Sequence, residues 1–129
     1  MRILLDTHIL IWVLTQPSKL RGDVRARMET AGADVAFSAV AIWEIAIKSQ
    51  VARNDFSLSA DAIYEAAIAS GLSEMPITSV AAAYVARLPR HHRDPFDRLL
   101  VAQAITEPAH LYTVDTRLAT YSELVHVVG

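Results

Sequence analysis

The stretch H-H-R-D-P-F-D-R-L-L-V-A-Q-A, from His91 to Ala104, restricts the fold more than any other part of this chain. Pro95 follows Asp94, Asp97 comes two residues later, and the sequence then turns almost wholly apolar. A proline with its φ preset fits the first position of a helix. An Asp before it can accept from the free N–H groups of the first turn, and a second acid there faces the positive end of the helix dipole. Leu99, Leu100, Val101, Ala102 and Ala104 leave this helix little polar face, so it is largely buried. It starts at an edge where two carboxylates emerge among Arg90, His91, His92, Arg93 and Arg98. A buried scaffold with an acidic mouth and a basic rim is a candidate reaction site.

The rest of the chain supplies short apolar runs and helices in alternation. Arg2 to Leu5 reads as a strand ended by Asp6, which opens a helix T-H-I-L-I-W-V-L stopped by Pro17. Every residue from Ile9 to Leu14 is apolar, so this is either a central helix or one whose outer side meets another chain. Leu20 to Ala31 reads as an amphipathic helix carrying Arg21, Arg25 and Arg27 and ended by Gly32. A second strand covers Asp34 to Phe37, and Ser38 caps the helix A-V-A-I-W-E-I-A-I-K-S. Arg53 to Leu58 is a loop, and Ser59 or Asp61 opens a helix that runs to Ser70 and ends at Gly71. Met75 to Ile77 is a very short strand holding Pro76, and Ser79 caps a helix over Val80 to Leu88 that Pro89 breaks. After the opening helix, which ends near Glu107 and Pro108, His110 to Val114 is a strand ended by Asp115. A helical turn T-R-L-A-T-Y follows, and Leu124 to Val128 is the last strand.

Such alternation argues for an α/β fold, a mostly parallel sheet with helices on both faces. In these sheets the ligand crevice lies beyond the carboxyl ends of the strands, which is where Asp6 and Asp115 stand. No repeat, linker or low-complexity tract divides residues 1–129, so they read as one domain with a real core.

Cysteine is absent, which removes disulfides, thiolate metal sites and cysteine nucleophiles together. No apolar run approaches the roughly 18 residues of a membrane span. The segment M-R-I-L-L-D-T-H has an acid inside it and lacks a small-residue cleavage site, which argues against a signal peptide and for a cytoplasmic protein. The net charge of −2 looks wrong for a nucleic-acid binder. Setting aside four metal-holding acids leaves 12 positive against 10 negative charges, so the balance neither supports nor excludes a polyanionic substrate.

Each acid has a structural reading of its own. Asp6 and Asp115 can cap the helix or turn that follows, Asp97 can be a first-turn acid, and Glu44 can pair with Lys48 one turn on. Together they point elsewhere. A Glu inside A-I-W-E-I-A-I sits against the core, where an unpaired carboxylate is expensive. Clustered carboxylates repel unless a cation lies between them, and oxygen ligands without Cys suit Mg²⁺ or Mn²⁺. Such an ion activates water and offsets charge on a phosphodiester, which is the chemistry of nucleic-acid hydrolysis.

The order D-T after the first strand, E in the third helix, D-P-F-D-R-L-L-V-A-Q-A, then T-V-D resembles a PIN-domain ribonuclease, and more narrowly a VapC toxin of a type II toxin–antitoxin pair. The resemblance spans nearly the whole chain, and H-R-D-P-F-D-R-L-L-V-A-Q-A is its most specific piece. It implies a PIN-like three-layer α/β/α sandwich and a Mg²⁺- or Mn²⁺-dependent endoribonuclease. Asp6, Asp97 and Asp115 would be the metal ligands and Glu44 the fourth catalytic acid. Thr113 matches a hydroxyl position near the metal, and Thr7 stands where many relatives have Asn or Ser. Asp94 is a feature of this branch that helix capping explains by itself. Arg93 and Arg98, with Arg90, suit phosphate contacts or a solvated basic loop. His91 and His92 read as solvated loop residues, and Trp12 and Trp43 as core or interface. The resemblance further implies an RNA substrate, a VapB-type antitoxin that blocks the acidic site, a toxin homodimer and a toxin–antitoxin hetero-oligomer. Operator DNA would be met only through the antitoxin. The alternatives are a silent PIN-like module that binds RNA or protein, and a PIN nuclease of RNA processing without an antitoxin. A receiver-like phosphoacceptor domain needs a late lysine, and Lys19 and Lys48 are both early.

Overall fold

The chain, described here by a computed structural model over residues 1–51 and 58–128, starts with β1 (Arg2–Leu5), α1 (Thr7–Thr15), α2 (Gly22–Glu29) and β2 (Asp34–Ser38). It continues with α3 (Ala39–Val51), α4 (Ala60–Ala69), β3 (Ser73–Met75) and α5 (Ser79–Tyr84), then α6 (Pro95–Thr106), β4 (His110–Thr113) and β5 (Val125–Val127). The strands form one sheet in the order β3-β2-β1-β4-β5, parallel at every pairing.

Alternation along the strands divides the core in two. Ile3 and Leu5 of β1 face α1, α2, α3 and α4, packing with Ile9, Leu10, Val24, Phe37, Ile45 and Ile63. Leu4 points the other way, among Ala36, Met75, Leu100, Val101 and Leu111 under α5 and α6. This is the three-layer α/β/α sandwich that the sequence implies. Leu4 and Leu100 are fully buried, and burying such a side chain stabilises by about 1.5–3 kcal/mol.

The register decides what meets at the carboxyl edge. Leu5 pairs with Phe37 on one side and Tyr112 on the other, so Asp6, Ser38 and Thr113 end up abreast. The Asp6 N–H donates to the Tyr112 carbonyl at 3.0 Å, which carries the ladder one residue past the strand. The Ser38 hydroxyl donates to Gln103 Oε1 at 2.5 Å and accepts from the Val40 N–H, while Gln103 Nε2 donates to the Pro76 carbonyl. This buried network fixes the placement of α6 against β2.

Some boundaries differ from the sequence reading. The helix expected from Leu20 starts at Gly22, because Pro17–Lys19 form a 3-10 turn and Leu20 is extended and buried after it. It still ends before Gly32, whose φ of +86° suits glycine. The third strand lies at Ser73–Met75, not Met75 to Ile77, since Pro76 has no N–H to continue the ladder with Ala36, Phe37 and Ser38. The α5 cap is the Thr78 hydroxyl, accepting from Ala81 N–H at 3.1 Å, and not Ser79; beyond Tyr84 the chain tightens into a 3-10 turn, Val85–Arg87. The loop expected over Arg53 to Leu58 lies, apart from Leu58, outside the described residues. Apolar surplus is plain on α3, where Trp43, Ile47 and Val51 are exposed, while Ile11 to Leu14 of α1 are half-buried. No helix among the described residues is long and apolar enough to cross a membrane.

Candidate metal centre

Two strand ends and two helices make the floor and the rim of one cleft. Asp6 is 4% exposed and caps α1, its Oδ1 accepting from Ile9 N–H at 2.8 Å. Its other oxygen accepts from the Thr113 hydroxyl at 2.6 Å. Burial pushes the Asp6 carboxyl up, against the pull of these donors. Glu44 is equally buried, one turn into α3, where it accepts from the Thr7 hydroxyl at 2.6 Å and pairs with Lys48. The Lys48 ammonium is held up by that hydrogen bond to Glu44.

The rim is built by the start of α6 and the turn after β4. Asp94 Oδ1 caps α6, accepting from the N–H groups of Phe96 at 2.9 Å and Asp97 at 3.4 Å. Asp97 faces inward from the first turn, with His92 Nε2 2.8 Å from its Oδ2. Burial lifts the Asp97 carboxyl from 3.8 to about 6, with the charges of Asp94 and Glu44 adding and the His92 hydrogen bond opposing. His92 Nε2 is also 3.5 Å from Asp115, so one imidazole bridges two carboxylates. Asp115 caps the turn after β4 through Arg117 N–H and takes both Nε and a terminal nitrogen of the Arg117 guanidinium. That hydrogen-bonded guanidinium holds the Asp115 carboxyl below its ordinary range. Thr113 joins floor to rim, since the hydroxyl that donates to Asp6 also accepts from Asp115 N–H at 3.0 Å.

The result is a cleft of about 430 Å³ lined by Asp6, Glu44, Asp94, Asp97 and Asp115 with Lys48, His92 and Arg117. All four acids singled out in the sequence line it, and each also keeps the structural role it could have had alone. Asp6 and Asp97, whose affinity for protons is raised chiefly by burial, fit a hard divalent cation. His92, Asp94 and Asp97 offer one ligand atom each within 4.8 Å of one another, a mixed imidazole and carboxylate set that also suits Mn²⁺.

Two residues set aside in the sequence reading stand in this cluster. Asp94 caps the helix and lines the cleft at once. His92 is 8% exposed at its side chain rather than solvated, because its loop folds back over the start of α6. No local pattern marks that return; the only sequence signal was a histidine just upstream of D-P-F-D. Of the arginines, Arg93 and Arg90 are exposed, whereas Arg98 is turned onto the protein. Its terminal nitrogens donate to the carbonyls of Val85, Leu88, Pro89 and His92 and to the Tyr121 hydroxyl. These contacts give Arg98 a structural role in addition to its place in the lining of the basic cleft. A second cleft, of about 520 Å³, is lined by Arg90, His92, Arg93 and Arg98.

Comparison with known proteins gives the same frame. The profile of the family described as PIN domain matches residues 3–124. The fold is similar to that in the crystal structure of VapBC2 from Rickettsia felis bound to a DNA fragment from their promoter. There the TM-score is 0.70 at 15% identity, over 97% of this chain and 96% of that one. VapBC-5 from Mycobacterium tuberculosis, of the VapBC family of toxin–antitoxin systems, gives 0.61 at 22% identity, over 98% and 97%. FitAcB from Neisseria gonorrhoeae gives 0.57 at 21% identity, over 90% and 89%. None of the curated proteins matches the chain.

Proposed function

The chain belongs to the PIN domain family, and on that premise we propose that it is a divalent-metal-dependent endoribonuclease acting as the toxin of a toxin–antitoxin pair. The observation that carries the reading is the meeting of Asp6, Glu44, Asp97 and Asp115 in one cleft at the carboxyl edge of the sheet. The toxin assignment draws on the solved relatives, which are toxin–antitoxin complexes by description, some of them with DNA.

Asp6, Asp97 and Asp115 would hold Mg²⁺ or Mn²⁺ in this reading, and His92 and Asp94 offer ligand atoms beside that of Asp97. The ion supplies a Lewis acid and a water of lowered pKa. Glu44, oriented by the Thr7 hydroxyl, positions the attacking water and takes up its proton. Water adds to phosphorus, the bond to the leaving ribose oxygen breaks, and that oxygen takes a proton from solvent. The Arg90–Arg93 side of the site guides the RNA. A VapB-type antitoxin covers the acidic cleft, and operator DNA is met through it. The exposed Trp43, Ile47 and Val51 face suits a homodimer contact. The setting is cytoplasmic.

Cleavage of total cellular RNA by the purified chain tests this, run with Mg²⁺, Mn²⁺ or EDTA beside Asp6→Asn and Asp97→Asn. Discrete metal-dependent fragments that vanish in both folded variants are expected. Equal cutting by wild type and folded variants would sink the assignment of those aspartates.

A further inference from the structure

The arginines around the two clefts are not equivalent. Arg117, on the acidic side, is held by both oxygens of Asp115. Arg98 has its terminal nitrogens committed to four carbonyls and one hydroxyl, at 2.9 to 3.5 Å. Arg90 and Arg93 are exposed, and among the described residues neither makes an ion pair. They stand on the segment whose carbonyls Arg98 gathers, so the residue whose terminal nitrogens are committed frames the two exposed ones. His92 lines both clefts, so the basic groove opens directly beside the acidic one.

We propose that Arg90 and Arg93 form a subsite for a non-scissile phosphate of single-stranded RNA, adjoining the acidic cleft. The inference rests on the nuclease reading above. A polyanion approaching Asp6, Glu44, Asp94, Asp97 and Asp115 meets repulsion that a cation offsets only at the phosphate being cut. Two planar guanidinium groups next door suit phosphate oxygens in a two-pronged contact. Such contacts fix the position of the strand and carry no base preference. A segment already framed by Arg98 loses less conformational freedom on binding than a free loop. It follows that a substrate needs at least one phosphate beyond the one that is cleaved. A dinucleoside monophosphate has none.

The first arm of the test compares wild type on a dinucleoside monophosphate and on a hexanucleotide of the same base, with saturating Mn²⁺. The hexamer is expected to be favoured by about tenfold or more in kcat/KM, and the Arg90→Ala/Arg93→Ala variant to lose most of that advantage, with KM rising more than kcat falls. Arg93→Lys, keeping the charge without the fork, should fall between. The second arm measures binding of a labelled oligouridylate hexamer in EDTA as salt is raised. Each lost phosphate contact should reduce the slope of log K against log salt by about 0.7. If RNA is cut but dimer and hexamer serve equally, or the slopes of wild type and variant agree, the subsite is wrong and the nuclease stands. If nothing is cut but the slopes differ as expected, the subsite stands and the nuclease reading falls. Absence of hexamer binding by the wild type also overturns the subsite.

Discussion

The floor of the acidic cleft and its rim solve the same electrostatic problem in different ways. On the floor, Asp6 and Glu44 are nearly excluded from solvent and each is oriented by a threonine hydroxyl, Thr113 or Thr7. On the rim, Asp97 and Asp115 keep about a fifth of their side chains exposed, and their partners are His92 and Arg117. A hydroxyl orients a carboxylate without neutralising it, so Asp6, which makes no ion pair among the described residues, stays short of positive charge, whereas Glu44 also has Lys48 beside it. A neighbouring cation satisfies an exposed acid but must be displaced or rearranged before a metal can take its place. The floor therefore stores affinity for a cation, while the rim sets how easily that affinity is used.

The sharpest way to break the contrast is Thr113→Val, which removes the donor to Asp6 and the acceptor for Asp115 N–H while keeping the shape. Leaving both groups unpaired should cost about 1–3 kcal/mol of stability by urea titration. Metal affinity or activity should drop by about 10- to 100-fold, the usual loss when a supporting partner goes. Thr113→Ser should retain most of both, and full function in the valine variant would mean that the floor is not held by this hydroxyl.

Asp97→Asn probes the rim with a smaller effect that changes sign with metal. The folded carboxyl at about 6 lies above its ordinary 3.8, so its protonated form favours the fold, and that contribution is lost as pH rises from about 4 through 6. In EDTA at pH 7, Asp97→Asn should be the more stable protein, by about 1–2 kcal/mol once partial exposure is discounted. The gap should close below pH 4. With Mn²⁺ the order should reverse, because only wild type gains from binding. A wild type more stable than the variant in EDTA at pH 7 would place the Asp97 charge in a favourable setting, contrary to the geometry. The smallest effect belongs to Arg117→Ala. The guanidinium is two-thirds exposed, so Tm should move by less than about 1 °C, yet the Asp115 carboxyl should titrate at visibly higher pH in an NMR titration.

What could be read from the sequence divides along the same line. Asp6, Glu44, Asp97 and Asp115 each stood at a place that local periodicity marks: the end of an apolar strand, the middle of an apolar helix, a first helical turn. The sheet was legible for the same reason, because runs such as I-L-L-D and L-Y-T-V-D carry their own boundaries. Convergence was not local, since it needed the order β2-β1-β4 to bring residues 6, 38 and 113 abreast. The loop before α6 was harder still. Nothing near Arg98 says that carbonyls from Val85 to His92 will lie within its reach, and His92 becomes buried only because they do. Thr78 and Ser79 differ by one residue in which hydroxyl caps, a choice that backbone geometry makes and propensity does not.

The Arg98 contacts also decide how this rim comes apart. Residues 88 to 94 form no strand or helix, and a segment of that kind ordinarily opens by itself in native-state hydrogen exchange, at little free energy. Here its carbonyls are tied to a side chain rooted in α6, whose Leu100, Val101, Ala102 and Ala104 are buried in the core. Opening the segment means releasing that side chain from three carbonyls at once, those of Leu88, Pro89 and His92, so the loop joins the cooperative unit of the helix instead of fraying ahead of it. The His92–Asp94 side of the cleft thus inherits its persistence from the hydrophobic interior, and Arg98→Lys would return it to the fast-exchanging fringe of the molecule.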